Sequence, residues 1–182
     1  MGIVLSRCKE FYLSANLLQD YNSVSALSPA NQVKLISASP DCHPSGFTKN
    51  TNTFTINGVS VVAYPIGTLI QNFDQSVEGE PIRNDGLGTE MQVNSEGKKS
   101  ATCDMTFIVD DGDTKTLGLL FKSKGGLRFI YYVDHAGNAF AFLGIVTTRS
   151  QSFDNDSNRS ADLSLVNAGY KEPIWKDAVS GI

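Results

Sequence analysis

Between Leu127 and Thr148 apolar residues occupy both phases of a two-residue alternation, and that fixes much of what the chain can fold into. Leu127-Arg-Phe-Ile-Tyr-Tyr-Val133 puts Leu127, Phe129, Tyr131 and Val133 on one face and Ile130 and Tyr132 on the other. After the short turn Asp134-His-Ala-Gly-Asn138, Phe140, Phe142 and Val146 share one face of the returning segment, with Ala139, Ala141, Leu143 and Ile145 opposite. Gly137 supplies the positive φ that such turns need, so the stretch reads as a hairpin. A hairpin apolar on both faces must be covered twice. One cover can be the chain's own core; the other is expected to be a packed helix or a neighbouring copy, which makes Ile130, Tyr132, Leu143 and Ile145 candidate inter-subunit contacts.

The helix to supply that cover is expected just upstream. Asp113 can act as an N-cap, and Leu117, Leu120 and Phe121 recur at helical spacing. Acids precede the stretch, Lys122 and Lys124 close it, and Gly125-Gly126 stops it, in keeping with the helix dipole and a left-handed cap. Downstream, a polar loop over 149–160 leads to a strand at 161–166, where Leu163 and Leu165 alternate with polar neighbours, and Gly169 and Trp175 close the unit.

The remaining elements point the same way. Thr53-Phe-Thr-Ile56 and Val59-Ser-Val-Val-Ala-Tyr64 flank Asn57-Gly58, the strongest short hairpin signal. Residues 101–109 alternate as a half-buried strand, 32–38 reads as a strand, 39–46 as a loop, and 68–73 as a short strand. Residues 1–28 read as an arm or a short helix through Phe11, Leu13, Leu17, Leu18 and Tyr21. No linker or repeat divides the 182 residues, so one domain is expected: α+β, mainly β, a β-sandwich or barrel with one packed helix.

Charge is low, 19% of residues, and its placement is informative. Asp74, Glu78, Glu80, Asp85 and Glu90 stand against Arg83 alone in 74–90, a local charge of −4; the other 14 acids and 14 bases cancel. The net charge of −4 excludes a generally basic nucleic-acid-binding surface. With its glycines and Pro81 the segment reads as a long exposed loop, and loops of that length usually have a task. Glu78, Glu80, Arg83 and Asp85 are therefore further candidate inter-subunit contacts, on an arm within 65–100.

The sequence carries no complete motif for catalysis or metal binding. Asp154-Asn-Asp156-Ser-Asn158 copies the start of a calcium loop, but Arg159 and Leu165 stand where Gly and Glu are required. His43 and His135 belong to no constellation, and Cys8, Cys42 and Cys103 are too few and too scattered for a disulfide framework or a zinc site. No phosphate-binding or dinucleotide motif occurs. No enzyme activity, metal or cofactor is expected. Met-Gly-x-x-x-Ser at the start matches the loose myristoylation pattern without a supporting basic patch, and no apolar run approaches the ~20 residues of a membrane span.

Phe142-Leu-Gly144-Ile-Val146-Thr147, the Ser/Asp-rich loop, Ser160-Ala-Asp-Leu-Ser-Leu165, Gly169 and Trp175 together resemble the C-terminal half of the tail-tube proteins of long-tailed bacteriophages. The resemblance covers about a third of the chain and rests on pattern and order. It implies a virion structural protein, made in the host cytoplasm, whose copies join sheet edges into rings, hexameric in this family. Rings stack into a tube alongside other tail proteins, and DNA passes through the lumen without specific binding. Tail terminator and baseplate ring proteins share the fold and are the nearest alternatives. A monomeric β-barrel binding module, its hairpin lining a pocket, is the reading from another class.

Overall fold

A computed structural model describes residues 8–15, 17, 27–38, 42–66, 70–85, 92–109, 126–152, 159–167 and 175–182, with backbone alone for 38, 71, 77, 79–85, 92–99, 109, 151–152 and 159. The expected helix at 113–122, the Asp154–Asn158 turn, Leu18, Tyr21 and Gly169 lie outside these residues. The described chain is mainly β, with one helix and one large antiparallel sheet.

In chain order the elements are β1 (Cys8–Ser14), α1 (Pro29–Ala38), β2 (Gly46–Thr48), β3 (Thr53–Ile56), β4 (Val59–Pro65), β5 (Ile70–Asp85), β6 (Gln92–Val109), β7 (Leu127–Asp134), β8 (Asn138–Ser152), β9 (Arg159–Asn167) and β10 (Trp175–Asp177). The strands run β2-β3-β4-β1-β7-β8-β9-β6-β5 across the sheet, and β10 pairs with β8. Two hairpins fall where alternation and turn chemistry place them. Asn57 and Gly58 take φ of 49° and 76° between β3 and β4, and Gly137 takes 88° between β7 and β8. Positive φ at both central residues of the first turn is the requirement that Asn-Gly meets.

Four expectations need correction. Residues 32–38 are the end of α1 and not a strand. Ser28 caps the helix through the Asn31 amide, 3.3 Å from its Oγ, and Pro29 occupies the first turn, where a missing N–H costs nothing. Residues 8–14 are no arm: they form β1, inside the sheet between β4 and β7. Residues 74–85 are no loop, because they continue β5 in register with β6 from Ile70↔Phe107 to Asp85↔Gln92. The polar stretch 149–160 is strand at both ends, with β8 reaching Ser152 and β9 starting at Arg159, and 153–158 lie outside the described residues.

The sheet curls in opposite senses around two cores, which is how its central strands become buried on both sides. On one face Phe11 and Leu13 of β1, Ile130 of β7 and Phe140 and Phe142 of β8 pack with Cys103, Met105 and Phe107 of β6. Phe73 of β5 reaches back to within 5.7 Å of Phe11 and stacks on Tyr132 at 5.2 Å between ring centroids. On the other face Phe54 of β3 meets Tyr12, Phe129 and Tyr131 at 5.1, 5.5 and 5.2 Å. Leu35 of α1 and the terminal Ala178, Val179 and Ile182 close that second core. Edge-to-face and offset aromatic contacts of this kind add about 0.5–1.5 kcal/mol each beyond area burial.

Candidate assembly surfaces

The second cover for the β7–β8 hairpin is therefore the chain itself. Ile130 is 0% and Leu143 1% exposed, one in each core, so neither can meet a neighbouring copy without unfolding. Their expected role as contacts is corrected on that ground. Tyr132 is half-buried between Phe73 and Trp175, the latter 5.8 Å away and edge-on. Ile145 alone of the four remains open, 44% exposed. It lies where the second core's cover ends, opposite half-buried Val166 on β9.

Beyond Ile145 the same sheet face continues across β8, β9, β6 and β5 with no element packed on it among the described residues, and its composition changes. Register places Asn72, Thr106, Asp162 and Ser150 in one cross-strand row, and Asp74, Asp104, Ser164 and Thr148 in the next. Ser76 and Thr102 begin a third row that ends on Val166 and Ile145. Hydroxyls tie neighbouring strands together within these rows: the Thr106 Oγ1 donates to Asp162 at 2.7 Å, the Ser150 Oγ to the same carboxylate at 3.3 Å, and Ser76 and Thr102 share a bond of 2.5 Å. Asp74 and Asp104 face each other directly across β5 and β6. Like charges so placed destabilise a sheet. Among the described side chains of these rows there is no Lys or Arg to offset them. Asp104 and Asp162 were not among the sequence candidates. They stand in the polar phase of strands whose apolar phase carried the reading, and following the polar phase would have found them.

The outer part of β5 and β6 forms the second surface. β9 pairs with β6 only from Thr102 onward, yet β5 and β6 stay in register for eight further pairs, Val77↔Ala101 to Asp85↔Gln92. At about 3.3 Å per residue this two-stranded ribbon runs on for roughly 25–30 Å. Glu78 is exposed on it, opposite Ser100; Glu80 falls at the bulge between Gly79 and Pro81, while Arg83 pairs with Asn94 and Asp85 with Gln92. β5 also ends the strand order, so its outer edge carries no strand among the described residues. Such an edge is a template for pairing with another chain.

Burial, aided by Glu10, pushes the Cys8 thiol up to about 11, and burial pushes Cys103 higher still; a thiolate nucleophile needs the opposite shift. His43 lies edge-on to Tyr131 at 6.4 Å, and His135 is exposed in the β7–β8 turn. Among the described residues no cluster of His, Cys, Asp or Glu could hold a metal, and no helix is long and apolar enough to cross a membrane.

No protein-family profile and no curated protein sequence matches the chain. Solved structures do. The SPP1 tail tube superposes over 74% of this chain and 75% of its own, with a TM-score of 0.52 at 12% identity. The tail of an empty GTA particle, refined with C6 symmetry, covers 64% and 87% at a TM-score of 0.44 and 12% identity, and the anti-feeding prophage baseplate 65% and 85% at 0.37 and 13%. These last two scores carry no weight here. The chain thus has the mostly-β fold of a phage tail-tube subunit, as the C-terminal resemblance implied, on the strength of the SPP1 tail tube.

Proposed function

We propose that the protein is a structural subunit of a phage tail tube, self-assembling into stacked rings, hexameric as in the family it resembles, that enclose a channel for DNA ejection. The observation that carries this reading is the acid-and-hydroxyl face of β5, β6, β9 and β8, on which nothing packs among the described residues, on a chain with the fold of the SPP1 tail tube. Turned toward a lumen, that face repels phosphates and offers no counter-charge. DNA then slides without being held, since non-specific retention depends on neutralising phosphates with Lys and Arg. The outer edge of β5 joins the sheet of the next copy, and a head-to-tail contact of that kind closes into a ring when its rotation allows. The outer ribbon, with Glu78, Glu80, Arg83 and Asp85, reaches the adjoining subunit or ring, and Ile145 lies in the same contact. Other tail proteins cap and extend the tube.

Negative-stain microscopy of the concentrated protein tests the assembly. Tubes of uniform width are expected; rings that never lengthen favour a terminator or baseplate component. A monomer at every concentration overturns the reading in favour of a β-barrel binding module. The lumen assignment has its own test, the double variant Asp104→Lys with Asp162→Lys. Its tubes should retain short duplex DNA at low salt in co-sedimentation while parent tubes do not. Equal retention by both removes this face from the channel wall.

A further inference from the structure

The Asn57-Gly58 turn carries a chemical latch as well as a bend, and its chemistry is independent of the tail-tube reading. α1 has ten residues, below the ~12–15 at which an isolated helix becomes even marginally stable in water, so it depends on what ties it down. Two ties are visible. Leu35 is its buried side chain, and the Nδ2 of Asn57 donates a 3.0 Å hydrogen bond to the carbonyl oxygen of Lys34, which also accepts from the Ser37 Oγ at 2.9 Å. Asn57 and Gly58 are both exposed, and nothing lies within 4 Å of where a Gly58 Cβ would stand, so water and base reach the pair. Theirs is the one Asn-Gly sequence among the 182 residues.

We propose that Asn57 is a site of spontaneous deamidation whose rate is governed by the docking of α1 and whose product prevents that docking. The backbone nitrogen of Gly58, having lost its proton to base, attacks Asn57 Cγ. A C–N bond forms, the Cγ–Nδ2 bond breaks, and the amide nitrogen leaves as ammonia. Water opens the resulting five-membered imide at either carbonyl, leaving aspartate or isoaspartate at position 57. While Nδ2 is engaged with Lys34 the side chain is held out of reach of this attack, so loosening of α1 accelerates it. The product side chain can only accept hydrogen bonds and therefore opposes the Lys34 carbonyl. The isoaspartate form also lengthens the backbone of a turn that tolerates two residues. The latch opens once and does not close.

The test compares three chains by intact mass and peptide mapping during incubation at pH 8.5 and 37 °C: the parent, Ser28→Ala, and a free peptide of residues 53–62. Ser28 caps α1 at the end away from Asn57, so its loss loosens the helix without touching the turn. The parent should gain its roughly one mass unit at Asn57 at least tenfold more slowly than the peptide, and Ser28→Ala should fall between them, at least threefold faster than the parent. A parent rate equal to the peptide's, or a Ser28→Ala rate equal to the parent's, overturns the proposal. Asn57→Asp closes the argument: amide hydrogen exchange over 32–38 should accelerate while β7 and β8 stay protected, and unchanged exchange in α1 refutes the latch.

Discussion

Asp134 shows how one side chain holds a turn and sets a pH limit. It is buried at the end of β7, and its carboxylate accepts from the Asn138 backbone amide at 2.8 Å and from the Asn138 side chain at 3.2 Å. Burial by itself raises its pKa, but the hydrogen bonds from Asn138 and from the Ala136 and Gly137 amides outweigh that and hold it below the ordinary carboxylate value. The sign follows from linkage. A group more acidic in the folded chain than in the unfolded one stabilises above the unfolded pKa, and that contribution disappears as pH falls through the folded value. Asp134→Asn should therefore lose about 1–3 kcal/mol at pH 7, the range for a charge-assisted buried bond. The gap to the parent should narrow below about pH 4, where the unfolded carboxyl begins to protonate. Urea midpoints at pH 7 and pH 3 measure both. Gly144 is a constraint of another kind: an added Cβ would stand 2.5 Å from Phe142 Cε1 and 2.8 Å from the Val166 carbonyl oxygen. The ring can shift but the backbone oxygen cannot cheaply, so Gly144→Ala should cost about 1–3 kcal/mol, read as a lower melting temperature.

At the scale of elements the β7–β8 hairpin decides between folding and assembly. With Ile130 and Leu143 inside the chain's own two cores, Ile130→Asp or Leu143→Asp should abolish the cooperative unfolding transition, since an unpaired buried charge costs roughly 4 kcal/mol or more. Ile145→Asp, on the open face, should change monomer stability by no more than about 0.5 kcal/mol, yet weaken assembly in sedimentation. Circular dichroism during melting and velocity runs on the same samples separate the two effects. What the sequence revealed follows the same division. Period-two runs and Asn-Gly or Gly-containing turns marked β3, β4, β7 and β8, because local sterics dictate them. The curl that brings Phe54 to Phe129 and Phe73 to Tyr132 is a property of the whole sheet and leaves no local trace, so the sequence alone points to a packed helix or a neighbouring copy as the hairpin's second cover. α1 was misread for a smaller reason: Val33, Ile36 and their neighbours favour strand by composition, and the Ser28-Pro29 cap lay upstream of the window. The outer ribbon was missed because glycines, Pro81 and acids are poor strand formers, whereas continuous pairing with β6 overrides propensity at an edge.

For the whole molecule the outer ribbon of β5 and β6 sets the last test. A two-stranded hairpin is at best marginally stable in water unless something packs on it. The ribbon from Val77↔Ala101 outward has no third strand among the described residues. A monomer gains little from keeping such an element; an assembly gains a reach of roughly 25–30 Å toward its neighbour. Replacing residues 79–99 by Asn-Gly, with Glu78 and Ser100 as the closing pair, removes the ribbon and leaves the ladder between β6 and β9 and both cores intact. The shortened protein should melt as a single cooperative transition near the parent's temperature and fail to form tubes at any concentration at which the parent does. Tubes of normal width from the shortened chain would show that the ribbon is dispensable and that subunits are joined by the remaining edge of β5 alone. Loss of the melting transition would place the ribbon within the folding unit. Under the assembly reading the ribbon is costly in the free subunit and stabilised only where a second copy supplies the missing contact, so truncation should separate folding from assembly.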